Sequence, residues 1–99
     1  MSEDKIACRT PTTGRDGVTN LLSWKFEAVR TAILDAVGGA GPEGLAFADL
    51  PGAVAARLAP EALARLGSVG WHTTTVKLEL EVRGEIRRTG ASPQRLVLA

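Results

Sequence analysis

Few side chains in this 99-residue chain are of the types that make or break bonds, and their spacing keeps them apart. His72 is the single histidine and Cys8 the single cysteine, while Ser68 lacks the sharp strand-to-helix context of a nucleophilic serine. A metal centre needs three or four ligands at regular spacing, and a hydrolytic triad needs a base beside its nucleophile, so both fail on inventory. His72 reads as an interface or cap-adjacent residue. Glu79 and Glu81, two apart on a helix, leave on different faces and make no acid/base pair. Gly38, Gly39, Gly41 and Gly44 follow a helical pattern rather than a strand, which does not suit a phosphate cradle. The expectation is a protein without catalytic residues, metal or organic cofactor.

Binding chemistry is more legible. Thr74, Lys77, Arg87, Arg88 and Arg95 are candidate nucleic-acid contacts, the first two on a helix that reads the major groove and the arginines on a hairpin that meets phosphates. The elements that must carry them lie between Trp71 and Ala99. Val76, Leu78, Leu80 and Val82 alternate with charged residues, which is the period of a half-buried strand. Helix is the stronger reading: Lys, Leu and Glu favour it, Thr73 to Thr75 offer capping hydroxyls, and Gly84 stands where a left-handed residue would end it. On a wheel Val76 and Leu80 lie together, Leu78 and Val82 widen the apolar sector, and Thr74, Lys77 and Glu81 form a narrow polar face. Beyond Gly84, Ile86-Arg87-Arg88 and Arg95-Leu96-Val97-Leu98 flank a loop over 89–93, the spacing of a hairpin. Ile86, Leu96 and Leu98 are expected to face the core.

A helix, a glycine and a basic hairpin make a winged-helix ending. The run Gly67, Trp71, Val76-Lys77-Leu78, Leu80-Glu81, Arg83-Gly84, Ile86, Arg88 and Pro93-Gln94-Arg95-Leu96 resembles a family of small, uncharacterised bacterial winged-helix proteins. The likeness extends back to a first helix around Trp24 to Val37. It implies a fold and no established activity, and His72 stands where that family is expected to carry an aromatic.

The remaining chain supports this ending. Leu22, Phe26, Val29, Ile33 and Val37 recur at helical spacing between the capping candidates Asn20 or Ser23 and the stop Gly38-Gly39. Trp24 lies off that stripe, at the rim of the core. Leu45-Ala46-Phe47 offers a short strand. Asp49 then caps a helix with Pro51 in its first turn and Leu50, Val54 and Leu58 buried; another helix starts at Pro60, carries Leu63 and Leu66 and stops at Gly67. The fold class expected is mainly α with a small β-hairpin, a winged helix-turn-helix, with residues 1–20 an N-terminal arm and 21–99 the domain. Lys5, Arg9 and Arg15 of the arm could reach a minor groove, but Glu3, Asp4 and Asp16 offset them.

With 44% apolar and 23% charged residues the chain reads as one globular domain, and twelve basic against eleven acidic residues leave only +1, which argues for no polyanion by itself. Charge distribution says more: Arg87, Arg88 and Arg95 are unopposed in residues 86–99. A lone cysteine and the lack of a long apolar run point to the cytoplasm and to no membrane partner. Two readings follow. One is a DNA-binding homodimer, a transcriptional regulator whose third helix and basic wing contact duplex. The other is a protein-interaction module of the same fold that docks a partner through Leu78 and Val82. A continuous positive stripe of Lys77, the hairpin arginines and the arm would favour the first; scattered charge would favour the second.

Overall fold

A computed structural model describes residues 4–9, 19–89 and 94–99. Its element order is β1 (Lys5–Cys8), β2 (Thr19–Leu22), α1 (Ser23–Gly39), β3 (Leu45–Ala46), a single 3-10 turn (Phe47–Asp49), α2 (Leu50–Arg57), α3 (Pro60–Leu66), α4 (Val69–Arg83), β4 (Ile86–Arg88) and β5 (Arg95–Leu98). Among the described residues the protein is mainly helical with two small antiparallel sheets. Arg15 and the hairpin loop residues 90–93 lie outside the described residues.

The first helix forms where its periodicity places it, and Phe26, Val29, Ala32, Ile33, Ala36 and Val37 are its buried stripe. Neither Asn20 nor Ser23 caps it. Asn20 is paired with Ala7 in the sheet, the strand runs directly into the helix, and the Ser23 backbone N–H donates to the Asp4 carbonyl at 2.8 Å. That bond stands in for a side-chain cap by satisfying one of the first orphan donors. The stretch expected as an arm therefore carries β1 and the start of β2, and it sends Cys8 into the core beside Leu21.

In α2, Pro51 is tolerated because the first-turn N–H has no intrahelical partner, while Leu50 and Val54 are fully buried. Asp49 precedes this helix, but its side chain makes no capping bond. The third helix ends at Gly67, at φ 89°. The next, α4, starts five to seven residues earlier than the threonines suggest, because the Ser68 hydroxyl accepts from the Trp71 N–H at 3.1 Å and so supplies the cap itself. Its end is as read: Gly84 is left-handed at φ 76°, its N–H reaches the Glu81 carbonyl, and the Glu85 N–H reaches Leu80 at 2.9 Å. Those two bonds form a Schellman stop.

The second sheet has the order β3-β5-β4, with Leu45 opposite Leu96, Arg87 opposite Val97 and Arg88 opposite Leu96. Gly44 makes the first contact possible. At φ 80° it is already a position for glycine, and a Cβ there would stand 2.5 Å from the Leu96 carbonyl oxygen. Ile86 and Leu96 enter the core beside Val76, Leu80, Ile33 and Phe26. Leu98 does not. Opposite Ile86 at the sheet's end, it is 48% exposed, within contact distance of the α1 turn at Gly38.

Candidate functional site

The fourth helix buries more than its apolar residues. Val76, Leu80 and Thr73 are fully enclosed, and so, on either side of them, are Lys77 at 1% exposure and Glu79 at 0%. The helical wheel puts Lys77 on a polar face beside Thr74. Its ammonium instead meets the Glu81 carboxylate at 2.9 Å and lies 4.3 Å from the centre of the Phe47 ring. A buried charge is tolerable only when paired, and the aromatic face adds cation–π attraction. Burial draws the Lys77 ammonium below the usual lysine range, with Glu81 acting against that trend.

Glu81 has a second cation. Arg88 on β4 donates from Nε at 2.6 Å, so one carboxylate ties the helix to the hairpin strand. Glu79 is held as tightly on the other side: Arg9 donates its backbone N–H at 2.8 Å, Nε at 3.0 Å and Nη2 at 2.7 Å, and Arg83 donates Nε at 2.8 Å. Burial works to raise the Glu79 pKa, but those charged donors prevail and hold it at about 2. Cys8, nearby in β1, is pushed up to about 11 by burial and by the Glu79 charge, which leaves it a thiol rather than a nucleophilic thiolate. The joint after the helix is fixed too: Glu85 pairs with Arg30 at 2.8 Å, and its carbonyl accepts from the Ala99 N–H at 3.1 Å.

Of the candidate contacts, Thr74 is exposed on α4, Lys77 is sequestered, and Arg88 is bound to Glu81. Arg87 is exposed and Arg95 half-buried; the register puts both on the face of the sheet opposite to Arg88. Arg9 is paired with Glu79. Lys77, the hairpin arginines and the arm therefore form no continuous positive stripe among the described residues. Apart from Arg83, which is bound to Glu79, what α4 turns outward is uncharged: Gly70, Trp71 at 49% exposure, Thr74, and the half-buried Thr75, Leu78 and Val82. His72 faces inward, its Nδ1 2.7 Å from the Ser68 carbonyl and its ring edge-on to Trp71. Trp24 sits at the rim under the Arg65 guanidinium, 5.1 Å from its ring centre.

A shallow cavity of about 330 Å³ lies between the end of α1 and the sheet, walled by Val37, Pro42, Val97 and Leu98 with Arg87 its one charged group among the described residues. Among the described residues no cluster of His, Cys, Asp and Glu could hold a metal ion, and no helix is long and apolar enough to cross a membrane.

Residues 5–96 match the family described as DUF6958, a family of unknown function. The chain belongs to the DUF6958 family. No curated protein and no solved structure matches it. The DUF6958 match begins at the first residue of β1 and ends inside β5, so it reaches every element, the first hairpin included. The ion pairs of this DUF6958 chain differ in how visible they are from sequence. Lys77–Glu81 and Glu79–Arg83 stand four apart, a spacing that pairs side chains on a helix. Arg9–Glu79 spans 70 positions and Phe47–Lys77 joins two elements; no local pattern signals either.

Proposed function

We propose that this DUF6958 chain is a non-enzymatic protein-interaction module of winged-helix form, with the uncharged outward face of α4 as its docking surface. The winged-helix part rests on the order helix, strand, two helices, helix, hairpin and on the β3-β5-β4 sheet, which together give a hairpin beside an accessible fourth helix. The single observation that carries the choice of partner is the sequestration of Lys77. Its ammonium is buried against Glu81, and Arg83, the other cation of α4, is bound to Glu79, so the helix that would enter a major groove offers no unpaired cation. Affinity for duplex comes mainly from phosphate neutralisation by Lys and Arg, so such a helix suits an uncharged protein surface better.

The duplex-binding reading keeps one specific support, Arg87 and Arg95 on one face of the hairpin with Thr74 exposed on the helix. Fluorescence polarisation with a labelled random duplex at low salt separates the two. The interaction reading expects no saturable binding. Binding whose log affinity falls against log salt with a slope of about 2, and which Arg87→Ala with Arg95→Ala abolishes, would establish the duplex reading in its place.

A further inference from the structure

The outward residues of α4 are spaced four, three and four: Trp71, Thr75, Leu78 and Val82. At about 100° per residue they occupy one arc roughly 60° wide. That is the spacing of a seam facing another helix, and all four remain solvent-accessible, Trp71 most of all. We infer that the seam is occupied by a second copy of this chain, bound antiparallel through α4 about a twofold axis; the inference rests on the interaction-module reading.

Two features favour a second copy over an unlike protein. The spacing is palindromic, so an axis passing between positions 76 and 77 sets Trp71 against the partner's Val82 and Thr75 against the partner's Leu78. An isologous contact needs such self-complementarity. The seam is also neutral, and the cations nearest to it, Lys77 and Arg83, are already paired with Glu81 and Glu79, so two copies meet without like-charge repulsion. The seam is short. From Trp71 to Val82 it covers eleven steps of the helix, about 16 Å, which places the contact among small interfaces.

Sedimentation equilibrium of the full chain, from micromolar to millimolar concentration, should show the mass rising from one chain to two. Leu78→Lys puts two ammonium groups near the axis, and Thr75→Glu puts two carboxylates there, so each variant alone should be monomeric. In an equimolar mixture the new ammonium meets the new carboxylate, and a heterodimer should form at least about tenfold more tightly than either homodimer. A wild type that stays monomeric at millimolar concentration overturns the inference, as does a dimer indifferent to both substitutions or a mixture no tighter than its components. Circular dichroism verifies that each variant is folded; should a charge at 78 unfold the chain, Trp71→Ala at the exposed end of the seam must weaken the dimer instead. A monomer that ignores duplex overturns only the twofold pairing, whereas salt-dependent duplex binding removes the interaction reading beneath it.

Discussion

Replacing Glu79 with Gln should cost stability at neutral pH and flatten the acid limb of the stability profile. The carboxylate is enclosed, receives three bonds from Arg9 and one from Arg83, and titrates at about 2 rather than the ordinary 4.5. A tenfold change in proton affinity corresponds to ~1.4 kcal/mol, so the difference amounts to about 3 kcal/mol. Arg9 is 54% exposed, and water around it screens part of that sum, leaving about 2 kcal/mol expected. Because the folded carboxyl binds its proton more weakly than the unfolded one, the contribution is complete above pH 4.5 and is lost as pH falls toward 2. Urea melts of wild type and Glu79→Gln at pH 7, 4.5 and 2.5 should therefore differ most at pH 7 and converge at the lowest pH. Equal stability at pH 7, or two profiles that stay parallel through the acid range, would refute the assignment of Glu79 as the pin between β1 and α4.

Two glycine substitutions should separate backbone strain from collision. Gly84→Val meets no atom within 4 Å but forces a β-branched residue to φ 76°, for a loss of about 1 to 2 kcal/mol in thermal melts, whereas Gly44→Ala adds a 2.5 Å approach to the Leu96 carbonyl and should cost more. The buried pair on the other flank of α4 predicts an asymmetry: Lys77→Met, which keeps the bulk and leaves Glu81 with Arg88, should change stability by no more than about 1 kcal/mol, while Glu81→Leu strands the enclosed ammonium and should cost about 3 kcal/mol in denaturant titration.

Local signals in the sequence correspond to local facts of the structure. The stripe from Phe26 to Val37, the stop at Gly84 and the two runs of the last hairpin depend on neighbours a few positions away, and all three form as expected. The errors concern residues whose fate is decided at long range. Lys77 appears polar on a wheel, yet Phe47 covers it and Arg88 helps neutralise its partner. Leu98 has the alternation of a core residue, but it closes the last strand, where its partner Ile86 takes the core position and Leu98 is left 48% exposed. The stretch from Lys5 to Cys8 shows little periodicity, and its partners are Thr19 to Leu22 and, through Arg9, a glutamate 70 positions away. Residue type marks the candidate contacts and says nothing of how Glu79 and Glu81 divide the available cations between them.

At the joint between α4 and the hairpin, the Schellman bonds close one side, Glu85 grips Arg30 on the other, its carbonyl takes the Ala99 N–H, and Glu81 reaches across to Arg88. A hinge needs a few residues whose torsions are free to change, and none of these contacts leaves such play. The helix and the hairpin must then move as one rigid body, and any visitor meets a surface whose shape is set beforehand. Association on such a surface forfeits little conformational entropy, so its affinity should depend on fit rather than on adjustment.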